Sequence, residues 1–368
     1  MSEAWVNGKA ATLQEAVASA AALLRASRAP LIAGMGADMA GTRAAILLAE
    51  KLGAAFDHMH AGHVLADLAA LRSAGAMLTT PNEVRLRADT VLLIGAKAAG
   101  YAELARLLSP PHPALSQREG PRKIFALTSG GKKILAPAAF DIHHHVASGA
   151  ALTAVVSALH CAVRGKPFGP APFPTDTIMA LAACLREAKF GACLWSADEF
   201  EGDPMLPFML MDLVTALNDT TRFSALPLTP PGNGAGVAQT AAWMTGFPMR
   251  TSFARGYPEH DPWRFDAARL AHAGEADAAL WISAYEDAAP DWADKVPLVA
   301  LTGAQTRLSA PPRVRVSVGK PGRDHDGVDL SAQTATFAPF AASAPSRLPS
   351  VAQVLTLIDA ELAVGGQA

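Results

Sequence analysis

Hydrophobic positions along the chain take two recurring forms: short continuous apolar runs, and longer stretches with an apolar residue every three or four positions. The first long stretch opens with Thr12 and Glu15, spaced as a capping box. It places Leu13, Ala16, Val17, Ala20, Leu23 and Leu24 on one helical face. Pro30–Gly34 then reads as a buried strand, Gly41–Leu52 as a helix stopped by Gly53, and Ala54–Asp57 as a second strand. Further continuous runs lie at Thr90–Gly95 and Lys123–Thr128. After a helix over 149–164 and a Pro-rich connector, 166–174, the rhythm restarts. It predicts a helix to about Ala188, a strand at Gly191–Ser196, and a helix capped by Asp203-Pro204 and running to Asn218. Strands at Arg222–Leu226, Ala278–Ser283 and Pro297–Thr302 and a helix at Ala235–Thr245 follow. Val351, Val354, Leu355, Ile358 and Leu362 share one face of a last helix.

Continuous rather than alternating strands, interleaved with helices, predict an α/β fold of parallel sheets flanked by helices. The spacing suggests a first α/β unit over 1–165, with a loop insertion at 108–121, and a second over 175–335. Residues 336–368 read as an extended segment and a C-terminal helix packing back on the fold.

Composition narrows the picture. With 51% hydrophobic and only 17% charged residues, the 368-residue chain is not disordered, and its low charge suggests large covered surfaces. Thirty-one Lys and Arg against 33 Asp and Glu leave no basic excess for a nucleic acid. Met1-Ser2-Glu3 has no apolar run behind it, so no signal peptide is expected and the protein is placed in the cytoplasm. Val146–Val163 is apolar but holds Ser148, Gly149, Thr153, Ser157 and His160. It reads as a buried helix rather than a membrane span. The three cysteines, Cys161, Cys184 and Cys193, form no CxxC pair and read as buried thiols. None precedes 161, which excludes an N-terminal iron–sulfur or zinc motif.

Candidate chemistry is sparse. Gly34-Met35-Gly36 follows a strand, but Met39 stands where a dinucleotide-binding turn requires its third glycine. His58, His60 and His63 follow the second strand, where two imidazoles can reach one metal; a polar strand end is the plainer reading. His143-His144-His145 sit in an apparent edge strand, where alternate residues face opposite ways. The stretch 230–265 is the densest. Gly232-Asn233-Gly234-Ala235-Gly236 precedes a helix, and Trp243, Arg250, Arg255, Gly256, Tyr257, His260, Asp261 and Arg264 follow in a Gly/Pro-rich loop. Such a stretch suits anion binding or a subunit interface.

Taken together, "GNGAG", "WMTGFP" and "RGYP" within 232–262, "RAPLIAG" at 28–34, "RADTVLLIGA" at 87–96, "GVDL" at 327–330 and "LPSVAQVL" at 348–355 resemble the B subunit of formylmethanofuran dehydrogenase. That family is itself similar to molybdopterin-dependent formate dehydrogenases. The resemblance implies a multidomain molybdopterin oxidoreductase-like fold, with Gly232, Asn233, Gly234, Gly236, Arg255, Gly256 and Tyr257 as vestigial pterin-pocket candidates. The departures matter as much. The family's iron–sulfur segment is missing, residues 56–65 hold no cysteine for a metal, and 128–133 lack the family's pterin-contact signature. Such a degenerate chain resembles the B subunit of bacterial formyltransferase/hydrolase complexes of methylotrophic one-carbon metabolism and formaldehyde oxidation. In these, a formyl group passes from formyl-tetrahydromethanopterin to a methanofuran-type carrier and is hydrolysed to formate. The resemblance then implies a catalytically silent structural subunit with no metallopterin or iron–sulfur cluster. Its partners would be a formyltransferase subunit, an amidohydrolase-like subunit and a β-helical glutamate synthase-like subunit, with no nucleic acid or membrane. Trp195, Trp243, Met59 and the 108–121 loop are expected to fill the former pocket. Two alternatives remain open: a catalytic formylmethanofuran dehydrogenase subunit holding a metallopterin, and a zinc hydrolase using His58, His60 and His63.

Overall fold

The computed structural model describes residues 3–130, 140–147, 152–171, 173–196 and 205–364. In chain order the strands are β1 (Ala4–Val6), β2 (Lys9–Ala11), β3 (Pro30–Gly36), β4 (Ala55–Phe56), β5 (Thr90–Ile94), β6 (Lys123–Ser129), β7 (Ile142–Ala147), β8 (Gly191–Ser196), β9 (Phe223–Leu228), β10 (Thr251–Ser252), β11 (Glu259–His260), β12 (Ala278–Ser283), β13 (Leu298–Thr302), β14 (Val314–Ser317), β15 (Gly327–Leu330) and β16 (Phe337–Phe340). The helices are α1 (Leu13–Ala26), α2 (Met39–Leu52), α3 (Ala61–Ala74), α4 (Pro81–Arg87), α5 (Leu104–Leu108), α6 (Leu152–Val163), α7 (Thr175–Arg186), α8 (Met205–Leu217), α9 (Gly234–Thr245), α10 (Ala267–His272) and α11 (Val351–Val364).

Two compact units share these elements, the first made of residues 1–65, 231–330 and 336–368, the second of 66–230 and 331–335. In the first unit a nine-stranded sheet runs β11-β10-β4-β3-β12-β13-β14-β1-β2. Its centre, β4 to β14, is parallel, and both margins are antiparallel. β3 is buried at every position because it is covered on both faces. Ile32, Leu280, Ile282, Val299 and Leu301 pack with α1, α2, α9 and α11 on one side. Leu31, Ala33, Ala279, Trp281 and Ala300 pack on the other side with Phe265, Ala271 and Trp292. This two-sided burial is why the strand sequences are continuous rather than alternating. The capping box of α1 is formed as its spacing predicts, and Gly53 stops α2 in the left-handed region at φ 65°.

The second unit is a fully parallel five-stranded sheet, β7-β6-β5-β8-β9, with α6, α7 and α8 over one face and α4 and α5 over the other. β7 is its edge strand and carries the three consecutive histidines. Residues 109–122 form the loop between α5 and β6. Among the described residues no helix is long and apolar enough to cross a membrane. α6 instead buries Val155, Val156, Leu159 and Ala162 in the core.

One expectation is corrected. The units are not consecutive blocks at 1–165 and 175–335: β3 pairs with β12 and β5 with β8, so each sheet draws on both halves of the chain. Buried strands of Ala, Val, Leu and Ile look alike, and nothing local states which neighbour each will take. The tail segment after residue 335 carries β16, which pairs antiparallel with β15. The helix cap expected at Asp203-Pro204 lies outside the described residues, as do residues 149–151.

Gly34 lies within β3 at φ +80°, and a Cβ there would lie 2.5 Å from the Ile282 carbonyl oxygen. Gly34→Ala is expected to cost about 2 kcal/mol or more, through left-handed strain and backbone collision. Thermal unfolding checks this; an unchanged midpoint would contradict the tight β3–β12 approach.

Candidate functional site

Connections leave β3 and β12 toward opposite margins of the first sheet, so a crevice opens at their carboxyl ends. The segment after β4 enters it. The Asp57 N–H donates to the Ile32 carbonyl at 3.0 Å and the Met59 N–H to the Gly34 carbonyl at 3.1 Å, prolonging the ladder. Asp57 is thereby buried at the strand end. Its carboxylate accepts from the His58 N–H at 2.9 Å and from the Ala267 N–H at 3.0 Å. Burial pushes this carboxyl up to about 7, against the opposing pull of Arg250. The Arg250 guanidinium lies with Nε 3.5 Å from Asp57 and Nη2 2.5 Å from Asp266, and it donates to the Pro262 carbonyl. Arg250 itself adopts φ 53°. A non-glycine residue in that region is held by its surroundings, here two carboxylates and a carbonyl on one cation. Asp266 in turn caps α10 by accepting from the Arg269 N–H at 2.8 Å.

The three candidate histidines are neighbours, with ring centroids 5.7 Å apart for His58 and His60 and 5.8 Å for His60 and His63. Both nitrogens of His58 are engaged: Nε2–H donates to the Gly232 carbonyl at 3.0 Å, and Nδ1 accepts the His60 N–H at 3.0 Å. Burial holds its pKa down at about 4, so the ring is neutral. His60 Nε2 faces Glu286 at 3.1 Å. Among the described residues no three His, Cys, Asp or Glu side chains are grouped to hold a metal ion.

The glycine-rich turn is filled by the chain's own side chains. At Gly232, a Cβ would meet Glu286 Oε1 at 2.6 Å and His58 Nε2 at 3.5 Å. Asn233, at φ 62°, sends Nδ2 to the Ala37 carbonyl at 2.9 Å and to Asp329 at 2.8 Å. Gly236 leaves room for that side chain, since a Cβ there would collide with Asn233 Oδ1. Gly234 opens α9 and is buried. Arg255, Gly256 and Tyr257 instead lie in the loop between β10 and β11. Arg255 pairs with Glu259 at 2.9 Å and lies 5.6 Å over the Tyr257 ring, both in exposed positions. Met59 packs against the end of β3, its Cε 3.0 Å from a Cβ placed on Gly36. Trp243 does not fill a pocket: it is 60% exposed. Trp195 is fully buried in the second unit, its indole N–H donating to Asp67 at 2.9 Å. The cysteines all lie in the second unit; Cys193 is buried in β8, where burial pushes its thiol up, and Cys161 and Cys184 are half-buried on α6 and α7.

A cleft of about 330 Å³ remains beside the strand ends, lined among others by Gly34, Asp57, Met59, His60, Arg250 and Trp281. Asp38, Asp57, Asp266, Tyr285, Glu286 and Asp329 carry much of the polar chemistry here, and sequence reasoning does not single them out. Of these, Asp57 has a local signal, an acid directly after the apolar end of a strand, and Asp329 lies within the GVDL motif.

Arg250→Met leaves the buried Asp57 without its cation and is expected to cost about 3 kcal/mol. Asp57→Asn in the same chain restores part of that loss, because the buried charge goes with it. Thermal unfolding of the two variants checks the pairing; an Arg250→Met chain as stable as the parent would contradict it.

No family model matches the sequence. Individual relatives do. The chain is 36% identical to the B subunit of the formyltransferase/hydrolase complex of Methylorubrum extorquens, over 96% of each chain. It is 26% identical to the B subunit of the tungsten-containing formylmethanofuran dehydrogenase 2 of Methanococcus maripaludis, over 80% of this chain and 71% of that one. The corresponding subunit of Methanocaldococcus jannaschii is also 26% identical, over 80% and 70%. A chain in the crystal structure of the Methylorubrum extorquens formyltransferase/hydrolase complex with methylofuran superposes with a TM-score of 0.87. It is 35% identical, and the match covers 99% of this chain and 100% of that one. A relationship of this extent, running the length of both sequences and of both folds, places the chain in the family of formyltransferase/hydrolase complex B subunits.

Proposed function

We propose that this chain is a non-catalytic, structural subunit of a cytoplasmic formyltransferase/hydrolase assembly that moves one-carbon formyl units toward formate. Its neighbours would be a formyltransferase subunit, an amidohydrolase-like subunit and a β-helical glutamate synthase-like subunit. The carrying observation is the end-to-end match to the B subunit of such a complex, at 36% identity over 96% of both chains. On this reading the two units retain a formate dehydrogenase-like architecture for assembly rather than for redox chemistry.

The residues present do not suit a thiolate-held tungsten or molybdenum centre. The segment after β4 offers a buried carboxyl already bound to two N–H groups and a neutral imidazole with both nitrogens engaged. The glycine turn at 232–236 is pressed by Glu286, His58 and Asn233, and acids beside it oppose an anionic dinucleotide. The same engagement of His58 opposes a zinc hydrolase at His58, His60 and His63, since a metal would need a ring lone pair that the His60 N–H already uses.

Exposed aromatic side chains cluster in the stretch that suggested an interface: Trp243, Phe247, Tyr257 and Trp263, with Trp263 72% exposed under the Arg269 guanidinium. Tryptophan, tyrosine and arginine are the residues that anchor protein interfaces. Co-expressed with its partner subunits, a tagged chain is expected to recover them in fixed ratio. The double substitution Trp243→Ser and Trp263→Ser is expected to reduce that recovery roughly tenfold without altering the circular dichroism spectrum. Full formyl transfer and hydrolysis by the partners in the absence of this chain would overturn the structural role.

A further inference from the structure

At the carboxyl end of the β13–β14 ladder, Thr302 and Ser317 are registered side by side, and β12 places Ser283 beside Thr302. Val299, Leu301, Val314 and Val316 pack on the α1 and α11 side of the sheet, so alternation turns Thr302, Arg315 and Ser317 to the other side. Ser283 is satisfied, its hydroxyl donating to the Glu286 carbonyl at 2.7 Å. The Thr302 hydroxyl, fully buried, and the Ser317 hydroxyl, on a residue 2% exposed, have no partner among the described residues. Arg315 Nη2 donates to the carbonyls of Gly303 and Ala304 at 3.1 Å and of Thr306 at 3.0 Å. Those carbonyls belong to the turn after β13, whereas Arg315 starts beside Ala300. Its side chain therefore runs along the ladder toward the strand ends and passes over the two hydroxyls. The Nε of this guanidinium is buried and also without a partner. Among the described residues Arg315 forms no ion pair: burial draws its pKa down with no carboxylate opposing, and the Trp5 ring lies 5.6 Å away. Asp287, in the turn after β12, is engaged by the Thr306 hydroxyl at 3.2 Å.

We propose that Thr302, Ser317 and Arg315 hold a small monoanion, of the size of chloride or formate, beneath the 303–306 turn. Two rotatable hydroxyls and an Nε–H offer their hydrogens at one place, and the guanidinium behind them lacks a counter-charge. Buried donors are costly when unpaired and are matched in nearly all folded proteins. A cation there would be repelled by the guanidinium. An apolar group would leave all three donors unpaired, and a water would leave the charge uncompensated. A dianion would bring more charge than one guanidinium offsets, in a place where excess charge is expensive. A monoanion accepts from all three donors, and charge-assisted bonds of this kind are the strong ones. Chloride and formate share that chemistry. The bound anion would tie β13, β14 and their connecting turn together, next to the point where the sheet changes from parallel to antiparallel at β1. The proposal does not depend on the structural-subunit reading.

The test is hydrogen–deuterium exchange of the full chain with its partner subunits, read on peptides covering 298–320. Exchange is compared in gluconate, an anion too large for the site, and after replacing gluconate by chloride or by formate at constant ionic strength. Chloride or formate is expected to slow opening of this segment saturably, about tenfold at roughly ten times the dissociation constant, while β5 and β8 peptides do not change. The anion that acts at the lower concentration identifies the source. Thr302→Val keeps the side-chain shape without the hydroxyl. It is expected to abolish the anion dependence and to leave protection in gluconate equal to the parent's or higher, because an unpaired buried hydroxyl has gone. Ser317→Ala is expected to behave in the same way. No slowing by either anion, slowing shared equally by β5 and β8, an undiminished anion dependence in both variants, or a Thr302→Val chain less protected than its parent in gluconate would each overturn the site.

Discussion

The parallel pairing of β3 with β12 sets Leu31 beside Ala279 and Trp281 beside Ala33, joining the first tenth of the chain to its last third. Every residue at the crevice hangs from that ladder. The segment after β4 is prolonged along β3 through the Asp57 and Met59 N–H groups, and the Ala284 N–H donates to the Gly36 carbonyl at 2.8 Å. The register shifts between Trp281 and Ser283, where β3 carries one extra residue through Gly34 and Met35, both at positive φ. A contact of such long range costs loop entropy before it contributes burial, so it persists only because both faces of the strands are covered.

Covered strands leave little room for charge, yet the ends of β3, β4 and β12 gather Asp38, Asp57, Tyr285, Glu286 and Asp329. Each has a specific offset. Asp57 has two N–H groups and Arg250, Asp38 caps α2, Asp329 has Asn233 and Tyr285, and Glu286 has His60. Buried polar groups that are mutually satisfied hold segments in place more than they stabilise. The crevice where related architectures bind ligands is here knitted together by the chain's own side chains. That suits a subunit whose role is to keep its shape within an assembly.

Sequence signals are legible here where the physics is local. The α1 capping box, the Gly53 stop, the α11 face and the buried runs of β3, β5, β6, β8, β12 and β13 all need only near neighbours. α3 escapes such a reading because Val64, Leu65, Leu68 and Leu71 sit among alanines on several sides, with no single apolar face. β1 and β2 are three residues each, too short for a period to register. The interleaved units are hidden because strand partnership is not written in any one strand. At the site, the glycines and histidines stand out in the sequence, but the acids that engage them do not. Asp38, Glu286 and Asp329 are ordinary surface-type residues until the fold brings them together from three distant stretches.

Elemental analysis of the intact assembly, purified with all its subunits and active in formyl transfer and hydrolysis, is the most direct measurement of whether this chain works by structure or by redox chemistry. A structural subunit predicts full activity with only trace tungsten and molybdenum. One equivalent of either metal per chain, released together with a pterin, would contradict it.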